Sequence, residues 1–198
     1  MEPPGRFQTP GPPDSHQWRR RSTRLLLDRL PWLRVFADDV ELPDGRQVDG
    51  FLRIESRPYA MAFAVTDNGE VPFIWEYKYG LDATDLRLPA GYLEADEAPE
   101  ACARRELLEE TGYEAATWDS LGSYVTDSNR GYSRGHFFLA RQARRVRPPN
   151  AGDLAEVRVE LRPLDTIERL LSSGQMQELG PVACVALALA RLRATTAE

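Results

Sequence analysis

Alternating apolar and polar residues predict a series of short β-strands in the first half of the chain. The alternation over residues 34–42 and 47–55, on either side of a Pro-Asp-Gly turn, is typical of a β-hairpin or meander. Residues 59–65 are almost wholly apolar, as in a buried strand, and the Asp-Asn-Gly turn that follows predicts a partner strand. That partner and the remaining strands are expected at residues 71–79, 85–88, 118–125, 135–141 and 157–161.

Helical patterns follow in the second half of the chain. The clearest covers residues 98–111, where Pro99 suits a first helical turn, Glu100 suits the positive end of the helix, and Gly112 provides a stop. Two more helices are predicted over residues 166–172 and 181–193. The order of strands, helix, strands and helix predicts an α+β or mixed α/β domain.

The N-terminal residues differ from the rest. Residues 1–17 are rich in Pro and Gly and predict a flexible tail. Residues 17–33 are basic and partly apolar, so they could form a short helix, which Pro31 would end.

Composition narrows the class of protein. The 198 residues, 42% of them hydrophobic, suit one compact domain, and no apolar stretch reaches the length of a membrane span or a secretory signal. The two cysteines, Cys102 and Cys184, lie too far apart in sequence to predict a disulfide framework or a zinc cluster. We therefore expect a cytoplasmic location and no membrane contact. The net charge of −6 argues against general nucleic-acid binding.

Much of the acidity lies around the first predicted helix. Seven carboxylates and two arginines fall between Glu94 and Glu110, and Glu106, Glu109 and Glu110 share one helix face. Clustered carboxylate oxygens suit Mg²⁺ or Mn²⁺, which typically bridge to substrate phosphates. The alternative is an ordinary solvated acidic face.

The spacing around these glutamates is specific. Gly91, Glu97 and the run Arg-Glu-Leu-Leu-Glu-Glu-Thr-Gly-Tyr over residues 105–113 resemble the Nudix box. The box usually ends in an aliphatic residue, and Tyr113 is the one departure. The resemblance implies a mixed α/β/α sandwich with N-terminal antiparallel strands and a loop–helix–loop metal site.

The same resemblance implies a pyrophosphohydrolase and assigns residue roles. Glu106 and Glu110 would bind the metal, Glu109 would share the site, and the backbone carbonyl of Ala90 would be an additional ligand. Arg105 would orient a glutamate. Glu97 would support the loop, and the catalytic set would include Glu106, Glu109 and Arg105.

Flanking segments resemble the ADP-ribose and nucleotide-sugar pyrophosphatase branch, including strands near residues 41–54 that pair across a homodimer in relatives. The chain departs from the branch pattern at three positions: Glu76 and Lys78 replace the Gln and Arg of Gln-Tyr-Arg, and Arg87 replaces the Glu before Leu-Pro-Ala-Gly. Residues 127–130, Asp-Ser-Asn-Arg, also depart from the branch pattern, which often has a proline in this region. Pyrophosphate hydrolysis is thus better supported than ADP-ribose specificity.

Further candidates lie outside the box. Glu156, with Asp153 second, could be a distal catalytic carboxylate or a polar loop residue. Lys78 could contact a phosphate or form a surface ion pair. Arg130 and Arg134, in the expected polar loop over residues 126–134, could bind a phosphate or sugar. Tyr77 and Tyr132 are candidates for stacking on a base.

The predicted organisation is a tail over residues 1–17, an N-terminal strand region over 18–57 that forms a homodimer, and a Nudix domain over 58–198. The expected reaction is metal-dependent hydrolysis of a nucleoside diphosphate derivative. The alternatives are a catalytically silent ligand sensor and a hydrolase of modified nucleoside triphosphates or RNA ends.

Overall fold

The computed structural model describes residues 17–150 and 157–196. The chain divides into two compact units, residues 1–55 and residues 56–198, and each is described by itself. The tail expected over residues 1–17 lies almost entirely outside the described residues, as do Asp153 and Glu156.

The first unit is a three-stranded sheet in the order β1-β2-β3. Its strands are β1 (Arg19–Arg29), β2 (Leu33–Glu41) and β3 (Gln47–Ser56). The meander expected for β2 and β3 is present, but the short helix considered for residues 17–33 does not form.

The paired side chains explain why the basic segment is a strand. β1 pairs with β2 in antiparallel register from Arg19 opposite Glu41 to Arg29 opposite Leu33. Arg19 binds Glu41 with an N–O distance of 2.7 Å, and Thr23 donates to Asp38 at 2.8 Å. A basic strand therefore finds an acidic partner strand, which is an interaction between strands that the pattern of β1 alone does not reveal.

The second unit contains two sheets and the helices that cover them. Its elements are β4 (Tyr59–Thr66), β5 (Glu70–Lys78), β6 (Ala83–Arg87), β7 (Ala90–Tyr92), α1 (Pro99–Thr111), β8 (Tyr113–Asp127), β9 (Tyr132–Arg145), β10 (Arg158–Pro163), a 3₁₀ helix (Leu164–Ser172) and α2 (Leu179–Thr196). One sheet has the order β7-β4-β9-β8 and the other the order β10-β5-β6. No described helix is long and apolar enough to span a bilayer.

The expected pairing of residues 59–65 with residues 71–79 is wrong. The turn between them forms, with the amide of Gly69 donating to the carbonyl of Thr66 at 3.0 Å. β4 then pairs with β7 and, in parallel, with β9, whereas β5 pairs with β6 and β10. β4 is buried on both faces, so it takes a central position in its own sheet.

Three other predicted elements differ in their bounds or type. β8 and β9 extend much further than the sequence indicated, so the polar connection predicted over residues 126–134 shrinks to a few residues. The segment predicted as a helix over residues 166–172 is a 3₁₀ helix.

The two faces of β4 place α1. Ala60, Ala62 and Ala64 lie on one face and pack in the core cluster that contains Ala103 and Leu107 of α1. The opposite face contributes Met61 and Phe63 to a second cluster that also receives residues of α2. Small side chains under α1 let the helix lie close to the sheet.

The bounds of α1 confirm the helix predicted over residues 98–111. Pro99 lies in the first turn, and Gly112 ends the helix in the left-handed conformation with φ of 77°. Its amide donates to the carbonyl of Leu108 at 3.0 Å. A side chain at Gly112 would also collide with the carbonyl oxygen of Arg147, at 2.0 Å.

Candidate active site

The acidic face of α1 meets the turn that leads into β7. The amide of Ala90 donates to Oε2 of Glu110 at 2.9 Å. A Cβ atom at Gly91 would lie 1.9 Å from Oε1 of Glu106. The absence of a side chain at Gly91 therefore gives the Glu106 carboxylate its place against the turn.

Arg105 joins three carboxylates on and beside α1. Its Nε donates to Glu97 at 2.9 Å, and its Nη1 donates to Glu106 at 2.6 Å and to Glu109 at 3.1 Å. Its Nη2 donates to the carbonyl of Tyr92 at 3.2 Å. The guanidinium therefore fixes the orientation of two box glutamates and ties them to Glu97.

The contacts between Arg105 and Glu97 shift the pKa values of both groups. The hydrogen bonds from Arg105 hold the pKa of Glu97 below its usual value, and the carboxylates in turn raise the pKa of Arg105. Both groups are thus charged at neutral pH.

Glu110 is the most buried carboxylate of the box, with 3% of the residue exposed. Burial raises its pKa well above the usual value, and the positive charge of Arg87 is the largest influence in the opposite direction. A buried carboxylate is costly unless a cation or several donors compensate it.

The donor set fits a divalent metal ion in its chemistry. Glu106, Glu109 and Glu110 share one helix face beside the backbone of Ala90, and Mg²⁺ and Mn²⁺ prefer such oxygen ligands. A bound cation would also compensate the buried charge of Glu110. Among the described residues, no group of three acidic, His or Cys side chains converges as a ready-made site. Arg105 instead donates hydrogen bonds to two of the three box carboxylates, Glu106 and Glu109.

A second polar group lies on β5 and β6. Glu76 accepts from Nζ of Lys78 at 2.6 Å and from Nη1 of Arg87 at 3.2 Å. Glu76 and Arg87 are both 7% exposed. Arg87 is a polar residue of this group that carried no predicted role, although its departure from the branch pattern was a visible signal.

Other predicted residues bond to local neighbours. The hydroxyl of Tyr77 donates to Asp82 at 2.8 Å. Arg130 pairs with Asp127 at 3.3 Å within the β8–β9 connection. Arg134 donates to the hydroxyl of Ser123 at 3.1 Å.

Tyr132 differs from these three. It lies near enough to Tyr92 to affect the pKa of that phenol, which burial raises. Tyr92 follows the box glycine directly, so Tyr132 is the predicted stacking residue that the fold brings towards the box.

Two family models match the chain over most of its length. The NUDIX domain model covers residues 55–179. The chain belongs to the Nudix family. The model described as the nucleoside diphosphate sugar hydrolase N-terminal domain covers residues 18–51.

Similar proteins support the same family. The chain is 37% identical over 109 residues to the ADP-ribose pyrophosphatase of Bacillus subtilis, a match that spans 54% of this chain and 58% of that protein. It is 31% identical over 161 residues to the CMP-5'-(N-acetyl-N-hydroxy-3-aminopropyl)phosphonate hydrolase of Streptomyces rubellomurinus, spanning 80% of this chain and 76% of that protein.

A solved structure shows the fold independently of close sequence similarity. The crystal structure of an ADP compounds hydrolase matches with a TM-score of 0.79 at 19% identity, covering 90% of this chain and 96% of that one. The α+β Nudix fold expected from the resemblance is thereby confirmed. In this Nudix chain the box extends from β7 through α1, so a loop–helix–loop arrangement brings the box residues together.

Proposed function

We propose that this Nudix protein is a metal-dependent pyrophosphohydrolase. It cleaves the pyrophosphate bond of a nucleoside diphosphate derivative, such as ADP-ribose or another nucleotide sugar, and releases a nucleoside monophosphate. The observation that carries the proposal is the close approach of α1 to the β7 turn, where Glu110 bonds to the amide of Ala90 and Glu106 fills the space above Gly91. The names of the similar proteins support the class of substrate.

The proposed metal ligands are Glu106, Glu109, Glu110 and the carbonyl of Ala90, with Mg²⁺ or Mn²⁺ as the ion. Such an ion neutralises diphosphate charge and lowers the pKa of a bound water. Arg105 orients Glu106 and Glu109 through hydrogen bonds that the structure contains.

The remaining proposed roles concern proton transfer and substrate contact. Glu156 remains our candidate for a distal carboxylate that accepts the proton of the attacking water. The substrate contacts we propose are Tyr77, Lys78, Arg130, Tyr132 and Arg134.

Release of nucleoside monophosphate tests the reaction. Purified protein is incubated with Mg²⁺ and a panel of nucleoside diphosphate derivatives that includes ADP-ribose, and the products are separated by chromatography. Glu109→Gln and Glu110→Gln are expected to lower turnover by about a hundredfold or more, because each removes a charged oxygen ligand.

Glu100→Gln is the matched control. Glu100 lies on the same helix but pairs with Arg104 at 2.8 Å on an exposed face, so its turnover is expected to stay at the wild-type level. Full activity in both box variants would overturn the proposal. Binding of ADP-ribose without hydrolysis in Mg²⁺ or Mn²⁺ would favour a sensor, and release of pyrophosphate from nucleoside triphosphates would favour a triphosphate hydrolase.

We also propose that the first unit forms a homodimer interface. β1 is an edge strand, all of its residues are exposed, and Leu25, Leu26 and Leu27 follow one another within it. An exposed edge strand that carries three adjacent leucines is a ready site for pairing with a second copy of the chain. A cytoplasmic location is consistent with the two buried free thiols, Cys102 and Cys184.

A further inference from the structure

The fold brings together the three residues that replace those of the branch pattern, Glu76, Lys78 and Arg87. Glu76 lies between Lys78 and Arg87 and accepts a hydrogen bond from each, through Oε1 and Oε2 respectively. β5 and β6 are antiparallel neighbours, with Ile74 opposite Arg87, so this contact is a diagonal one across the pair of strands. One carboxylate thus holds two cations, and the group has a net positive charge.

The guanidinium of Arg87 has N–H groups that form no hydrogen bond with its described neighbours. Within the described part of the chain its buried Nε–H has no hydrogen-bond partner. Its Nη2 lies 3.8 Å from Oε2 of Glu178, too far for a hydrogen bond. Buried arginine donors are rarely left without a partner, so the free edge of this guanidinium indicates a ligand.

The position of Arg87 links it to the box. Its charge acts on Glu110 and on Tyr92, the residue after the box glycine. Asp85 on the same strand is fully buried and bonds to the amide of Gln177 at 2.9 Å. The charge of Arg87 therefore reaches the box glutamate Glu110, whereas the nearby carboxylate of Asp85 is already bonded to the backbone.

We propose that Arg87 is a substrate-binding residue that donates to an anionic oxygen of the substrate's diphosphate group, beside Lys78, while Glu76 holds both cations in place. Nε and Nη2 of a guanidinium form a planar fork that matches two oxygens of one phosphate. The group makes this site more positive by one charge than the Gln, Arg and Glu of the branch pattern, which favours substrates rich in negative charge. This inference rests on the proposed function, because it takes the diphosphate as substrate.

Binding of ADP tests the contact without requiring turnover. ADP is titrated into the protein by calorimetry with Ca²⁺ in place of Mg²⁺, and the cell contents are checked for AMP. Arg87→Met is expected to weaken ADP binding by about tenfold or more, since it removes a hydrogen bond to a charged group. Arg87→Lys is expected to fall between the wild type and Arg87→Met, because it retains the charge and loses the fork.

Arg162→Met is the matched control for the loss of an arginine from this sheet. Arg162 pairs with Glu160 on β10, the other neighbour of β5, at 2.5 Å. ADP affinity of the control is expected to equal that of the wild type. Wild-type affinity in both Arg87 variants, each shown by circular dichroism to be folded, would overturn the proposal.

Steady-state kinetics separate substrate contact from positioning of Glu110. A direct contact present before and during the reaction raises KM, here by about tenfold, with a much smaller change in kcat. A fall in kcat at unchanged KM in Arg87→Lys would show that Arg87 positions Glu110 instead, and would contradict the proposal. A wild type that binds ADP through Arg87 but hydrolyses no member of the nucleotide panel would refute the hydrolase proposal alone.

Discussion

Glu110 is an ionisable side chain in a buried position, and burial opposes its ionisation. Its carboxylate is almost fully buried and its pKa is raised by burial, with the charge of Arg87 as the main opposing influence. Between the usual pKa of a glutamate and this raised value, the native protein keeps a proton that the unfolded chain has lost. The metal-free protein therefore loses stability as pH rises through that interval.

Glu110→Gln is expected to stabilise the metal-free protein while it lowers turnover. An amide oxygen can accept the hydrogen bond from the amide of Ala90 without a buried charge. In EDTA we expect the melting temperature of the variant to exceed that of the wild type by about 2 °C or more near pH 8.

The difference should shrink towards pH 4, below the ordinary glutamate pKa of 4.5, where the wild-type carboxyl is mostly protonated in both the native and the unfolded state. Thermal unfolding followed by circular dichroism at the two pH values measures it. A Glu110→Gln variant that melts below the wild type at pH 8 would contradict this account.

At the same scale, the sequence revealed some site residues and not others. Arg105, Glu106, Glu109 and Glu110 occupy consecutive turns of one helix, so their proximity follows from helical geometry alone. The contact between Glu76 and Arg87 joins two strands, and no local spacing encodes which side chains meet across them. Only the departure of Arg87 from the branch pattern marked its position beforehand.

At the scale of elements, the position of Glu106 depends on how closely β7 and α1 approach each other. Gly91→Ala would place a Cβ atom 1.9 Å from Oε1 of Glu106, so the glutamate must move. Because a displacement of about 1 Å can reduce catalysis about a hundredfold, turnover is expected to fall by that order.

Gly80→Ala is the corresponding control, since nothing lies within 4 Å of a Cβ atom there and the backbone is not left-handed. Nucleotide turnover and melting temperature are measured for both variants. Equal turnover in Gly91→Ala and Gly80→Ala would show that the approach of β7 to Glu106 is not needed for catalysis.

Elements with local signals were predictable, and those defined by distant partners were not. α1 has Pro99 at its start and Gly112 at its end, and both bounds were correct to within a residue. β1 becomes a strand because its basic and hydroxyl side chains donate hydrogen bonds to acidic residues of β2. The acceptors are Asp38, Asp39 and Glu41. β4 takes its parallel partner from β9, more than seventy residues later in the chain, which no turn signal indicates.

At the scale of the whole molecule, the proposed homodimer makes a direct prediction of mass. Light scattering at micromolar concentration is expected to give twice the 22.4 kDa of one chain. Leu25→Asp is expected to shift the mass towards that of one chain, because it places a negative charge among the three exposed leucines of β1.

Leu179→Asp serves as the control, since Leu179 is an exposed leucine at the start of α2 in the second unit. Its mass is expected to remain that of the wild type. A wild-type mass near 22.4 kDa would remove the support for a dimer.

The contacts of Arg105 also bear on how the protein is made. In small metalloproteins whose ligands repel one another, binding of the ion and folding are a single event. Here one guanidinium already serves as counter-ion to Glu97, Glu106 and Glu109. We infer that the chain can fold without a divalent ion, so a shortage of the ion proposed for this site would lower its activity and leave its abundance unchanged.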